Sequence, residues 1–185
     1  MKHEQARFFV LTGGPGSGKS AIIEALHEAG YARAPETGRA IIQDQVAIGG
    51  SALPWNNPAL FAEVMLSWDI RSYREAQQST ETVFFDRGVV DVLGYLRLVG
   101  LPTPEHINQA VATFRYNQRV FIAPPWEEIF VTDHERKQDF ATAVRTYEVM
   151  ITAYGENGYE LIELPRTSVD RRMRFVLERT GIVQL

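Results

Sequence analysis

The chain has 185 residues, enough for one domain over 1–185 with a substantial core and no covalent staples. It contains no cysteine, which excludes disulfides, thiolate metal sites and a cysteine nucleophile and fits a reducing, cytoplasmic setting. A formal net charge of −4 and an isoelectric point near 5.6 are the wrong balance for a protein whose main partner is bulk nucleic acid. No run approaches the roughly 20 apolar residues of a membrane span.

The first apolar run, Phe8 to Thr12, reads as a strand and is too short for a signal-peptide core. It leads directly into Gly13-Gly14-Pro15-Gly16-Ser17-Gly18-Lys19-Ser20, which fits the Walker A pattern G-x-x-x-x-G-K-[ST]. A strand, a glycine-rich turn and then a helix aim several backbone N–H groups at one point, where the helix N-terminus adds about half a positive charge. Phosphate is the natural occupant. Lys19 is expected to reach the β- and γ-phosphates of a nucleotide, and the Ser20 hydroxyl to ligate Mg2+. The helix that follows carries Ile22, Ile23 and Leu26 on one face and stops at Gly30.

A weaker β-rich run, Tyr31 to Ala34, precedes Pro35-Glu36-Thr37-Gly38-Arg39. Glu36 lies at the carboxyl end of a predicted strand, where an acid can take the proton of an incoming hydroxyl. Arg39, three residues on, shares a helix face with it, so the two read either as a substrate-binding pair or as a surface ion pair. The segment 47–57 is rich in Gly, Pro and Asn and reads as an irregular, mobile binding loop, with Trp55 tucked onto the core rather than stacked on a substrate. Asn57-Pro58 then supplies an N-cap and a first-turn proline for a helix with Phe61, Val64, Met65 and Trp68 as its core stripe.

The third strand, Thr82 to Asp86, ends in Asp86-Arg87-Gly88. Ligands of such sheets collect at the carboxyl ends of the strands. Asp86 is therefore the natural second carboxylate for Mg2+, usually through water, or a base for the acceptor, with helix capping as the structural alternative. Arg87 can bind a phosphate or pair with Asp86 or Asp91. After the fourth strand, Val120 to Ala123, the segment 124–139 is again irregular and contains the charged run Asp133 to Asp139. By composition that run is a solvated face. Its place after the fourth strand fits a closing lid, from which Arg136, or Lys137 in its stead, would neutralise charge on a transferred phosphoryl group. A long helix follows with Phe140, Val144, Tyr147, Ile151 and Tyr154 as its stripe. The fifth strand, Glu160 to Leu164, is joined through Pro165-Arg166-Thr167 to a helix N-capped by Ser168 and carrying Arg171, Arg172 and Arg174. This connection either touches a nucleotide base through its backbone or is plain linkage. The histidines His3, His27, His106 and His134 have no metal-ligand spacing.

Five β-rich runs alternating with helical patterns predict a three-layer α/β fold, a five-stranded parallel sheet with helices on both faces. With the phosphate loop, Asp86-Arg87, the Arg136 region and the last-strand loop in this order, the chain resembles P-loop kinases of the nucleoside-monophosphate-kinase-like superfamily. Within it, Gly13 to Ser20, Pro35 to Arg39, Phe85 to Gly88 and Pro165 to Arg171 look like the ATPase/kinase-like family, often labelled AAA family ATPase, that includes the ribosylnicotinamide kinase domain of the bifunctional NAD-biosynthesis regulator. Arg87 stands where a motor ATPase typically has Glu, and no guanine-specifying N-K-x-D motif is present. The resemblance implies Mg-ATP as phosphoryl donor and a small-molecule acceptor, with Lys19, Glu36, Asp86 and Arg136 as catalytic residues. Gly13 to Ser20 and Arg136 would bind nucleotide, Glu36, Arg39 and Arg87 would bind substrate, and Ser20 and Asp86 would hold the metal. The rival readings are a nucleotide-dependent switch and an acceptor-independent ATPase.

Overall fold

The structure, a computed structural model, describes residues 6–130 and 139–182. Its centre is the strand β1 (Phe8–Gly13), every residue of which is buried. On one side it pairs with β3 (Val83–Asp86), which pairs with the short edge strand β2 (Ala32–Ala34). On the other side it pairs with β4 (Arg119–Ala123) and then β5 (Glu160–Glu163). All pairings are parallel and the order is β2-β3-β1-β4-β5, so the sheet expected from the sequence is the one formed.

The alternation of side chains along the strands divides the core into two layers. Phe8, Val10, Val83, Phe85, Val120 and Ile122 face one way, against α3 (Pro58–Gln77), α4 (Val89–Leu98), α5 (Glu105–Thr113) and α6 (Phe140–Glu156). Phe9, Leu11, Phe84, Phe121 and Ala123 face the other way, against Ile22, Ile23 and Leu26 of α1 (Lys19–Glu28) and Val176 and Leu177 of α7 (Val169–Thr180). A smaller cluster joins Ile41 and Ile42 of α2 (Thr37–Ile48) to Leu53 and Phe61. β1 is flanked by β3 and β4, so chain connections leave it in opposite directions and a crevice opens at its carboxyl end.

The helices begin and end for local reasons. Asn57 accepts a hydrogen bond from Leu60 N at 3.0 Å and Pro58 occupies the first turn, so α3 starts where the sequence placed it. Asp139 caps α6 through Thr142 N at 2.8 Å. Ser168 stands at the N-cap of α7 without a side-chain capping bond. α2 runs to Ile48 and stops at left-handed Gly49, so the irregular stretch begins two residues later than its composition implied.

Three expected core positions are instead exposed. On α3 the buried face is Phe61, Ala62, Leu66, Asp69 and Tyr73, while Trp68 is exposed. On α6 it is Ala143, Thr146, Met150, Ala153 and Tyr154, while Ile151 is exposed. On α6 the face is turned relative to the large apolar stripe because close approach to Gly94 and Gly14 selects small residues there. A Cβ on Gly94 of α4 would lie 2.5 Å from Met150 Sδ, and one on Gly14 would lie 2.4 Å from Ala143 O. Trp55, expected on the core, is 56% exposed, because Ala52, Leu53 and Pro54 of the same loop turn inward in its place.

Candidate active site

The phosphate loop is shaped by what surrounds it. Gly13 has φ +125°, and a Cβ there would lie 2.4 Å from Ala123 O of the neighbouring strand. Gly18 is left-handed and N-caps α1, and a Cβ there would lie 2.7 Å from Arg172 Nη1, so its absence makes room for the guanidinium. Ser17 Oγ donates to Gly14 O at 2.8 Å, and Lys19 Nζ folds back over the loop to donate to Gly14 O at 2.7 Å and to Ser17 Oγ at 3.3 Å. Burial, with the charge of Arg87 as a second cause, lowers the Lys19 ammonium to a pKa of about 8. Its charge is held in a desolvated place that an anion at the loop would compensate.

Ser20 Oγ donates to Asp86 Oδ2 at 2.8 Å. The other oxygen, Asp86 Oδ1, is buried with no hydrogen-bond partner, and burial followed by the nearby Glu36 charge raises the Asp86 carboxyl above its usual range. Asp86 does not cap the next helix; Gly88 stands at that N-cap. Among the described residues no three His, Asp or Glu side chains converge as a metal cage. One hydroxyl and one carboxylate with an orphan oxygen, beside a phosphate loop, fit Mg2+, which takes its remaining ligands from water and phosphate.

Arg87 has φ +74°, the left-handed region that a non-glycine residue occupies at a cost of order 1–3 kcal/mol. In that conformation its Nε donates to Glu36 Oε1 at 3.0 Å and its Nη1 to Asp91 Oδ1 at 3.1 Å. Of the pairings open to Arg87 in the sequence, Asp91 is realised, and Arg87 also forms an ion pair with Glu36. Arg39 lies exposed on α2, outside the lining of the cleft described next. Arg136 and Lys137 lie outside the described residues.

Sequence reasoning missed three buried polar groups. Asp91 accepts from Thr12 Oγ1 and Tyr154 Oη, each at 2.6 Å, and from Gly88 N at 3.0 Å, tying β1, α4 and α6 together behind Arg87. Asp69, on the buried face of α3, accepts from Thr37 Oγ1 at 3.0 Å, and burial raises its carboxyl to a pKa of about 7. Its signal was present as an acidic residue at helical spacing within the buried series Ala62, Leu66, Asp69 and Tyr73. Arg172 is 2% exposed and donates from Nη1 to Ser17 O at 3.0 Å, with the Trp126 ring 5.8 Å from its guanidinium carbon. It braces the phosphate loop from outside.

A cleft of roughly 750 Å3, open mouth included, adjoins these groups. Pro15 of the phosphate loop and Glu36, Thr37, Asp69, Arg87 and Asp91 supply its polar wall and rim, and Ile42, Phe61, Met65, Val92 and Met150 its apolar walls. Tyr95 of α4 also lines it, edge-on to Phe61 at 5.4 Å, and its buried Oη has no hydrogen-bond partner. Apolar walls with a few convergent polar groups are the usual lining of a small-molecule site.

In three dimensions the chain is similar to deoxyadenosine kinase from M. mycoides with the products dCMP and dCDP bound, at a TM-score of 0.67 and 11% identity over 93% of this chain and 97% of that one. It is similar to the NadR protein in complex with NR at a TM-score of 0.69 and 16% identity, over 96% of this chain but only 52% of NadR. Thymidylate kinase from Ehrlichia chaffeensis matches at a TM-score of 0.56 and 16% identity, over 93% of this chain and 97% of that one. These likenesses show that the chain shares their α/β P-loop kinase-like fold. No curated protein matches the sequence. A family model described as an AAA domain matches residues 8–172, nearly the whole chain, and the protein belongs to that family.

Proposed function

We propose that the protein is a small-molecule kinase that transfers the γ-phosphoryl group of Mg-ATP to a hydroxyl of an acceptor held in the cleft. The observation that carries this reading is that one cavity is lined both by Pro15 of the phosphate loop and by Glu36. The phosphate loop and the cleft thus share a wall. A nucleotide switch or a simple ATPase has no use for that arrangement. The solved structures of similar fold bear the names of a deoxyadenosine kinase, a thymidylate kinase and a shikimate kinase, in line with it.

Catalysis in such a site is mainly positioning and charge neutralisation. The backbone from Gly13 to Gly18 cradles the phosphates, and Lys19 swings from Gly14 O to them. Ser20 and Asp86 would hold Mg2+, which would screen the phosphate charge when bound. Glu36 is the base that takes the acceptor proton, because it lines the cleft and Asp86 does not. Asp91 also lines the cleft, but its oxygens are already committed to Thr12, Gly88, Arg87 and Tyr154. Arg87 orients Glu36, and Arg136 supplies charge from the segment that follows β4.

The test is ADP release from Mg-ATP with nucleosides, nucleotides, ribosylnicotinamide and sugars as acceptors. An acceptor should accelerate release by at least about 10²-fold, and Glu36→Gln should remove most of that acceleration, in the range for loss of a positioned base, while leaving ATP affinity nearly unchanged. Turnover that ignores every acceptor and equals phosphate release would replace this reading with ATP hydrolysis.

A further inference from the structure

Asp91 is bound more heavily than its place on α4 requires. As the third residue of that helix it accepts from the Gly88 N–H at 3.0 Å, an ordinary N-terminal capping contact. Capping leaves three further bonds unexplained, from Thr12 Oγ1 at 2.6 Å, Arg87 Nη1 at 3.1 Å and Tyr154 Oη at 2.6 Å. Oδ1 thus accepts from Thr12 and Arg87, and Oδ2 from Gly88 and Tyr154. Burial, and then the Asp91 charge, holds the Tyr154 phenol well above its usual pKa, so that hydroxyl stays a donor. A carboxylate only 5% exposed is tolerated here because these donors replace the water it has lost.

Two of these bonds grip a strained residue from both ends. Arg87 is the only non-glycine residue with positive φ among the described residues, and such a conformation persists where its surroundings over-determine it. Asp91 Oδ2 holds the peptide N–H that follows Arg87 and Oδ1 holds its guanidinium, while Arg87 N donates to Leu11 O at 3.0 Å. The guanidinium so fixed presents Nε to Glu36 Oε1 at 3.0 Å. The other two bonds fix Asp91 itself, one to the residue that immediately precedes Gly13 of the phosphate loop and one to α6. A hydrogen-bonded path Thr12–Asp91–Arg87–Glu36 thus runs from the strand that carries the phosphate loop to the carboxylate on the cleft wall.

Resting on the kinase reading, we propose that Asp91 is a positioning residue for phosphotransfer: held by Thr12 and Tyr154, it sets Arg87 and, through Arg87, places the Glu36 carboxylate against the acceptor hydroxyl. Asp91 acts without touching the acceptor, because its oxygens are filled from within the protein. Placement of a base matters at this scale, since a displacement of about 1 Å costs on the order of 10²-fold in rate. Asn cannot stand in for Asp91. Its amide has a single acceptor oxygen, so in either orientation its NH2 faces a donor that cannot turn to accept, the Gly88 N–H or the Arg87 guanidinium.

The experiment compares Asp91→Asn, Tyr154→Phe and Thr12→Val with the wild type in two measurements. The first is ADP release from Mg-ATP with the acceptor that accelerates it. The second needs no acceptor and follows hydrogen exchange of the Arg87 Nε–H by NMR, the signal being assigned by its loss in Arg87→Lys. Acceptor-dependent kcat should fall by about 10- to 100-fold in Asp91→Asn and about 3- to 10-fold in each hydroxyl variant, with affinity for a non-hydrolysable Mg-ATP analogue within about threefold of wild type. In a Glu36→Gln background Asp91→Asn should lower kcat no further, because residues that act as a unit are not additive, whereas a merely structural role would add its own loss. The Arg87 Nε–H should exchange about 10-fold or more faster in Tyr154→Phe. Tyr154→Phe and Thr12→Val nearly keep the native shape, so they carry the test where Asp91→Asn does not fold. Unchanged kcat in both hydroxyl variants, a full further loss in the Glu36→Gln background, or unchanged exchange overturns the inference and leaves the kinase reading standing. A wild type that no acceptor accelerates overturns the kinase reading and this role with it, and the exchange measurement then shows separately whether Asp91 holds Arg87.

Discussion

Asp69→Asn should make the protein more stable at alkaline pH than at acidic pH relative to the wild type, an inversion of what loss of a carboxylate usually does. The Asp69 carboxyl has a pKa of about 7 in the folded protein against an ordinary value of 3.8, and burial is the main cause. Between those values the folded state binds a proton that the unfolded chain has released, so stability falls as pH rises across that window and levels off above about pH 7. A shift of roughly three units corresponds to a full cost of about 4 kcal/mol, of which roughly 2 to 3 kcal/mol develops between pH 5 and pH 8. Asn cannot ionise, still accepts from Thr37 Oγ1, and has nearly the same volume. The stability gained by the variant over the wild type should therefore widen by about that amount from pH 5 to pH 8, equivalent to a melting shift of roughly 5 to 10 °C for a chain of this size. Urea unfolding of both proteins at four pH values measures it, and terms common to both proteins, such as those of Lys19 and Asp86, largely cancel in the difference. Parallel stability curves would show that Asp69 is solvated through the cleft and ionised at neutral pH, contrary to the argument.

Lys19→Ala should abolish Mg-ATP binding in calorimetry while the melting temperature stays level or rises, since a desolvated ammonium is removed and no apolar contact is lost; wild-type affinity would refute the phosphate-loop assignment. Asp86→Asn should weaken the Mg2+ dependence of nucleotide binding, and an unchanged Mg2+ titration would leave Ser20 as the metal's protein ligand without it. Arg172→Ala should cost about 1 to 3 kcal/mol in urea unfolding by orphaning the Ser17 carbonyl, and also weaken ATP, whereas a purely structural brace would lower stability with ATP affinity intact. Arg136→Ala should cut kcat by about 10²- to 10³-fold with little change in the ATP dissociation constant, because a charge delivered late acts on the transition state; an unchanged kcat would return the charged run to a solvated surface.

The sheet was legible because its signal is carried by many residues at once. The three central strands are short apolar runs, and the even and odd positions of β1, β3 and β4 separate cleanly into the two core layers. The phosphate loop was legible for a different reason: glycines, a lysine and a serine at fixed spacing are what a backbone cradle for phosphate requires. Helix faces were read less well. Large apolar residues mark a stripe, but Ile151 shows that where α6 packs closely the buried face is set by alanine, glycine and satisfied polar groups, which hydrophobic periodicity underweights. The wall of the cleft was the least legible part. Glu36 and Asp86 stood out at strand ends, where position alone gives a carboxylate a meaning. Asp69 and Asp91 lie inside helices, and only the folded protein shows that one meets Thr37 beside a cavity while the other takes bonds from three separate segments. A buried acid in a helix carries the same letter as a solvated one, and what separates them is which hydroxyls and guanidinium groups the topology brings within reach. The motif therefore points to phosphate binding, and the character of the cleft rests on residues whose importance exists only in three dimensions.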